Sequence, residues 1–466
     1  MTKSRMHAVY IIAAAAVLGF VAPADTAIAQ LGLPQVPGGL RDLPTDIDRN
    51  VRTRAERAAD KAAEEAEKAR QSVDGTVEPL VGTATGVVDT VTGELVAAVN
   101  GVARTFVAAT APDGSLIEAD VVVALLDDDE RDALQRSGAQ IISERTMGAL
   151  GKTLVTLRRP DGVALPDALR QLRSSFPDSA IDYNHLYRLD QSGELPGTRH
   201  EEIDIARQGP ASGAAGPRPL RVGVIDSAVL ARHPALQSVR VVENDFVTSE
   251  HARPLTHGTA VASLIVKSAG EPVEIYSASV FFQVPGHMPG ASTEGLVAAL
   301  DWLVAEDVDV INMSLSGPSN ELLQVAVDTT AERGKVVVAA VGNNGPAGEP
   351  LYPGAYDSVI GVTAVDREHR IFRNANRGEH VDYAAVGVNV KVADSTTGSF
   401  TIASGTSMAA PHVAVVVAKT LRDSGAEPGA LRSWLIASAK DLGRKGFDPV
   451  YGHGLITQPP AVVSGL

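Results

Sequence analysis

The chain has 466 residues, of which 44% are hydrophobic and 21% charged, a composition typical of a globular protein long enough for two folded domains. Its net charge of −15 argues against a nucleic-acid-binding protein, because such a protein needs a basic surface to meet phosphates. It contains no cysteine, which excludes disulfides, a thiol nucleophile and a cysteine-ligated metal site.

Residues 1–29 have the features of a signal peptide. The short basic segment MTKSRMH precedes the apolar run AVYIIAAAAVLGFVA, and the small-residue motif Ala27-Ile28-Ala29 follows. A membrane anchor is the alternative, but the apolar run is short and rich in alanine, and a cleavage motif comes after it. We therefore expect a secreted or periplasmic protein with no stable membrane anchor after cleavage.

Residues 30–116 predict a linker with an Ala-rich charged segment. Residues 30–45 are rich in proline and glycine, and residues 46–72 have high helix propensity. Only alanine lies on the stripe that such a helix could bury, so we interpret the segment as partly helical or disordered. Residues 75–115 show no clear period.

Residues 117–189 predict a small α+β domain. The pattern gives the strand IEADVVVALL, the helix DDDERDALQRSG, the strands AQIISERTM and KTLVTLRRP, the helix ALPDALRQLRSSF and the strand AIDYNHLYRL. The acids that begin the first helix suit the positive end of its dipole. The order β-α-β-β-α-β is that of a ferredoxin-like domain.

A Gly/Pro/Ser-rich linker at residues 190–219 separates this domain from a larger one at residues 220–466. The predicted strands there are LRVGVID, VEIYSASVF, VDVINMSL, KVVVAAVG and SVIGVTAV. The predicted helices between and after them are TAVASLIVK, STEGLVAALDWLVAE, NELLQVAVDTTAERG and SMAAPHVAVVVAKTLR. Buried strands that alternate with helices indicate an α/β fold with a doubly wound parallel sheet. Ligands bind such sheets beyond the carboxyl ends of the strands.

Four polar residues follow strands or begin helices in this domain: Asp226, His257, Asn343 and Ser407. Each alone is typical of a turn or a helix cap. In the order Asp, His, Ser on a parallel α/β scaffold, however, they match one arrangement of the acyl-transfer triad. An imidazole activates the serine hydroxyl, and a carboxylate orients the imidazole. The amide of Asn343 and a backbone N–H at a helix start are suitable donors to an oxyanion.

Residues 220–466 resemble the catalytic domain of the subtilisin-like serine proteases. The matching stretches are VIDSAVLARHPAL, HGTAVASLI, DVINMSLSGP, VVAAVGNNGP, YPGAYDSVIGVTAVD, SGTSMAAPHVA and YGHGLI, in the family order. The resemblance implies that Asp226, His257 and Ser407 form the triad and that Asn343 is the side-chain donor of the oxyanion hole.

The resemblance also implies a substrate-binding segment. Ser314, Leu315 and Ser316 would pair with the substrate backbone and wall the pocket for the residue before the scissile bond. Ser316 stands where the family most often has glycine, which narrows this pocket. Only KSAGEP remains where many relatives carry a longer calcium-binding loop, and the only acids nearby, Glu271 and Glu274, are too few for a calcium cage. We expect neither a metal nor a cofactor.

By position and topology, residues 117–189 resemble the family's propeptide, which assists folding and inhibits the enzyme. The sequence therefore predicts an exported, monomeric serine endopeptidase that acts on polypeptides through an acyl-enzyme on Ser407. It would be made as a precursor inhibited by its own prodomain, with the maturation cut at or shortly after Leu189. The alternatives are a catalytically silent binding protein of the same fold and a serine esterase. The esterase is disfavoured because an α/β-hydrolase needs its Asp and His after the serine.

Overall fold

The computed structural model describes residues 106–189, 218–247, 252–284, 286–424 and 428–457. The predicted signal peptide, residues 30–105 of the predicted linker and residues 190–217 lie outside the described residues. Within the described ranges, no helix combines the length and apolarity needed to cross a membrane.

The smaller domain has the predicted order of elements, preceded by one additional strand. Its elements are β1 (Ala108–Thr110), β2 (Leu116–Leu126), α1 (Asp128–Arg136), β3 (Ile141–Met147), β4 (Lys152–Arg158), α2 (Leu165–Ser175) and β5 (Ala180–Leu189). The strand order β3-β4-β2-β5 is antiparallel throughout, which confirms the ferredoxin-like plan. The unpredicted β1 pairs with β2 and lies within residues 30–116, so the prediction that this whole segment is a linker is wrong for its last residues.

The apolar pattern of β2 explains how this domain is layered. Val122, Ala124 and Leu126 pack with residues of α1 and α2 in one cluster. The alternating residues Val121 and Val123 belong to a second cluster, shared with the helices of the larger domain. Because successive side chains of a strand point to opposite faces, the continuous run VVVALL buries both faces of the sheet.

The larger domain begins with β6 (Leu220–Asp226) and contains eleven more strands and five helices among the described residues. In chain order these are β7 (Arg240–Asp245), α3 (Thr256–Ala269), β8 (Val273–Ser279), β9 (Phe281–Phe282), β10 (Gly290–Ser292), α4 (Thr293–Ala305), β11 (Val310–Met313), β12 (Leu315–Ser316), α5 (Glu321–Glu332), β13 (Val336–Ala340), β14 (Val359–Val365), β15 (Tyr383–Val386), β16 (Val390–Asp394), β17 (Ser399–Ala403), α6 (Thr406–Ser424) and α7 (Pro428–Ser438).

The central sheet has the order β15-β14-β13-β11-β6-β8-β7, and every neighbouring pair is parallel. Val222 and Val224 of β6 pack on the face covered by α3 and α6. Ile225 of the same strand packs on the other face, with residues of α4 and α5. Helices thus cover both faces, which confirms the doubly wound parallel sheet. Because these strands are parallel, the carboxyl ends of β6, β11 and β13 lie at one edge of the sheet.

Candidate active site

Asp226 and His257 form a buried pair at the carboxyl edge of the sheet. Asp226 is the last residue of β6, and His257 lies in the first turn of α3. The His257 Nδ1 lies 2.8 Å from Asp226 Oδ1 and 2.9 Å from Oδ2, and both side chains are fully buried. Because a carboxylate only accepts, Nδ1 carries the proton, and Nε2 then has a lone pair in the neutral ring.

The loop after Asp226 is held by α3 and by β7. Ser227 N donates to Asp226 Oδ1 at 2.6 Å, and Gly258 N donates to Ser227 Oγ at 2.8 Å. A Cβ on Gly258 would lie 2.1 Å from the carbonyl oxygen of Ser227, so only glycine permits this approach. On the other side, Val229 N donates to Glu243 Oε1 at 2.8 Å. Burial raises the pKa of Glu243 to about 7.

Ser407 is the second residue of α6, and its backbone is attached to the segment after β11. Pro411, inside this helix, has no N–H for the carbonyl of Ser407, which lies one turn earlier. That carbonyl instead accepts a hydrogen bond from Ser314 Oγ at 3.0 Å. Asn312 Nδ2 in turn donates to Ser314 Oγ at 2.9 Å. The proline therefore frees a backbone acceptor through which β11 fixes the start of α6.

Asn343 follows β13 and contacts the residue before Ser407. Its Oδ1 accepts hydrogen bonds from Thr406 N at 3.2 Å and from Thr406 Oγ1 at 3.1 Å. These two bonds fix the plane of the amide and direct its Nδ2 donor away from Thr406. The structure therefore brings Asp226 to His257 and Asn343 to the neighbour of Ser407, at one edge of the sheet.

Ser314, Leu315 and Ser316 lie beside the end of the smaller domain. β12 pairs antiparallel with β5, with Leu315 opposite Leu189 and Ser316 opposite Arg188. On its other edge β5 pairs with β10, where Gly290 is also opposite Arg188. The tail of β5 is therefore the middle strand of three, and it runs towards Ser314 and the start of α6.

Tyr187 anchors this tail in a pocket of the larger domain. Its ring is fully buried, and its hydroxyl donates to Pro318 O at 3.0 Å. A Cβ on Gly317 would lie 2.4 Å from the ring, so the pocket depends on glycine there. We did not predict this contact, and the Gly317-Pro318 sequence after β12 is the only local signal of it.

Polar contacts hold the smaller domain on α4 and α5. Asp182 Oδ2 of β5 accepts from Glu321 N at 3.1 Å, at the amino end of α5. In the opposite direction, Asp301 Oδ1 of α4 accepts from Ala149 N at 2.8 Å and from Leu150 N at 3.0 Å. These acceptors satisfy backbone N–H groups that would otherwise be left without partners at the interface.

Glu271 of the KSAGEP segment and Glu274 of β8 are both used in ion pairs. Glu271 contacts Arg422 at 2.8 Å and Lys419 at 3.0 Å, and the hydrogen bond from Arg422 lowers the pKa of its carboxyl. Glu274 contacts Arg240 at 3.3 Å. Within the described ranges, no group of three or more His, Asp or Glu side chains is arranged to hold a metal ion.

The sequence matches known proteases over the larger domain. Residues 218–454 match the family model described as the subtilase family. Subtilisin DY of Bacillus licheniformis is 34% identical over 253 residues, which are 51% of this chain and 88% of that protein. The minor extracellular protease Epr of Bacillus subtilis (strain 168) is 30% identical over 247 residues, 51% of this chain and 37% of that protein. The chain thus spans less than two thirds of Epr.

A solved structure extends the likeness of fold to more of the chain. The crystal structure of fervidolysin from Fervidobacterium pennivorans, a keratinolytic enzyme related to subtilisin, matches with a TM-score of 0.59 at 21% identity. The match covers 76% of this chain and 62% of that one. At this identity, the likeness concerns the fold alone.

Proposed function

The chain belongs to the subtilase family of serine proteases, and from that membership we propose that it is an exported endopeptidase acting through an acyl-enzyme on Ser407. The observation that carries the proposal is the buried contact between Asp226 and His257 at the edge where α6 begins. Export rests on the signal-peptide pattern of residues 1–29.

Each residue has one role in the proposed reaction. His257 Nε2 takes the proton of Ser407 Oγ as this oxygen bonds to the substrate carbonyl carbon. Asp226 keeps the proton on Nδ1 and stabilises the imidazolium that forms. The imidazolium then gives its proton to the leaving amine as the C–N bond breaks, and a water molecule hydrolyses the acyl-enzyme by the reverse of these steps.

Labelling with a fluorophosphonate tests this proposal directly. The purified chain should form one covalent adduct, located on Ser407, and should hydrolyse an unfolded protein substrate such as casein. A chain that binds polypeptides but neither labels nor cleaves them would be a binding protein of the subtilase fold. One that cleaves simple esters but no peptide would be an esterase.

Asn343→Ala should lower kcat roughly 100- to 1,000-fold with KM nearly unchanged, the range expected for the loss of one oxyanion donor. The amide acts on a charge that develops only in the transition state, so substrate binding hardly changes. Steady-state kinetics on a peptide substrate measure the effect. Asn344→Ala is the matched control, since this adjacent side chain is exposed. Wild-type kcat in Asn343→Ala would assign the oxyanion to another donor.

We further propose that the smaller domain is an inhibitory prodomain and that maturation cuts the chain at or shortly after Leu189. The antiparallel pairing of β5 with β10 and β12 supports this proposal, because a substrate backbone in the same place would make the same ladder. N-terminal sequencing of the exported protein tests both the export and the position of the cut.

A fragment of residues 106–189, added to the mature enzyme, should inhibit it competitively. Tyr187→Ala in this fragment should raise the inhibition constant roughly 30-fold or more, because a buried aromatic anchor and its hydrogen bond are lost. Arg188→Ala is the control, since that side chain is exposed while its backbone keeps the ladder. A fragment that does not inhibit, although it is folded by circular dichroism, would make this domain a permanent accessory.

A further inference from the structure

The end of β5 lies between β10 and β12, and an extended substrate in the same place would follow the same path, which we call the track. The register of this track shows which substrate residue would meet the nucleophile. Leu189 is opposite Leu315, so the next position along the track falls opposite Ser314. Ser314 is bonded to the carbonyl of Ser407. A polypeptide in this track therefore presents, opposite Ser314, the residue whose carbonyl carbon Ser407 attacks. The side chain of that residue needs a pocket beside β12.

Two backbone segments form the walls of that pocket, and the first is β12 with its continuation at Gly317. Gly317 continues β12 and pairs antiparallel with Tyr352, through Gly317 N to Tyr352 O at 2.9 Å and Tyr352 N to Gly317 O at 3.0 Å. Since successive residues of a strand bond to opposite sides, β12 lies between the β5 track and the segment of Tyr352. The second wall is the extension of β13, at Gly342 and Asn343.

Leu351 precedes Tyr352, which pairs with the first wall, and its side chain packs on the second wall. Its Cδ1 lies 2.5 Å from the position that a Cβ on Gly342 would take, so its methyl group rests on the backbone of Gly342. Gly342 has φ +101°, a conformation that favours glycine, and it immediately precedes Asn343. The isobutyl group therefore lies against the wall next to the candidate oxyanion donor, where it would limit the depth open to the side chain of a bound substrate.

We infer that Leu351 restricts the residue before the scissile bond to a small side chain, such as Ala, Ser or Gly. This inference rests on the proposed peptidase activity. An aromatic or long basic residue has to displace Leu351, and overpacking of this kind costs about 1–3 kcal/mol, roughly 5- to 150-fold in kcat/KM. The lining residues Ser314, Ser316, Gly342, Asn343 and Leu351 are all uncharged, so a basic side chain gains no ion pair from them.

The test compares peptides that differ only in the residue before the cut: Ala, Phe and Lys. The wild-type enzyme should prefer Ala to Phe and Lys by tenfold or more in kcat/KM. Leu351→Gly should raise kcat/KM for the Phe peptide at least tenfold relative to that for the Ala peptide. Leu351→Met, which keeps the pocket filled, should retain the preference for Ala. Fluorophosphonate titration counts folded active sites, so poor folding of a variant does not distort the ratios.

The outcomes separate this inference from the proposed activity. A wild-type enzyme that labels and cleaves but prefers Phe or Lys would overturn the inference alone. The same holds if Leu351→Gly leaves the Ala-to-Phe ratio unchanged. A wild-type chain that neither labels nor cleaves any of the peptides would overturn the proposed function, and the inference with it.

Discussion

Ser407→Ala in the full chain should reduce peptide hydrolysis roughly a million-fold. Without the hydroxyl there is neither an attacking oxygen nor a proton for His257 to accept, and the residual rate comes from binding and the oxyanion donors alone. If the precursor processes itself, the variant should also accumulate uncleaved. Turnover of a peptide substrate and N-terminal sequencing measure the two effects.

Ser404→Ala is the matched control for this variant. Ser404 lies three residues earlier, and its Oγ accepts from Asn389 N at 2.9 Å, away from the triad residues. Its removal should change kcat/KM no more than about threefold. Normal processing of Ser407→Ala in a host free of other proteases would contradict the autocatalytic maturation that we propose.

Asp226→Asn should lower kcat roughly 10,000-fold at neutral pH with little change in KM. In the wild type, Asp226 Oδ1 accepts from both Ser227 N and His257 Nδ1. An amide whose oxygen keeps the bond to Ser227 N turns its NH2 group towards Nδ1. The imidazole then has to carry its proton on Nε2, where it no longer accepts the proton of Ser407. Steady-state kinetics on a peptide substrate measure this loss.

Asp245→Asn provides the comparison for Asp226→Asn. Asp245 ends β7 at the same edge of the sheet, and it pairs with Arg253 at 2.9 Å. Its neutralisation should leave kcat within about threefold of the wild type, which would show that the charge at Asp226 acts locally. A kcat within tenfold of the wild type in Asp226→Asn would remove this residue from the mechanism.

Periodic sequence features predicted most of the fold. Apolar runs such as VVVAL in β2 and LRVGVID in β6 predicted buried strands, because a strand that is buried on both faces is apolar at nearly every position. β7 and β15, the two edge strands of the central sheet, were missed because β7 carries Glu and Asn and β15 contains two alanines, which are all residues of low strand propensity. The hairpin of β16 and β17, with two exposed apolar residues, also carries no clear alternation.

The candidate site residues were predicted as a set from their order in the chain, but their contacts were not. Asp226, His257, Asn343 and Ser407 occur in the order of the family's motifs, and this order is the reason that the sequence predicts them as one candidate site. The bond from Ser314 to Ser407 and the packing of Leu351 on Gly342 depend on distances between segments that are far apart in the chain or irregular. Such distances follow from tertiary packing, for which a single sequence carries no periodic signal.

The antiparallel track between β10 and β12 limits the shape of what the proposed protease can cut. Only an extended segment of several residues completes both ladders, and a helix or a closed sheet cannot offer one. A folded protein must first open locally, so its rate of cleavage follows the population of that opened state when reclosing is fast. The geometry therefore makes the enzyme sensitive to the conformational stability of its targets, and it would degrade damaged or unfolded proteins ahead of intact ones.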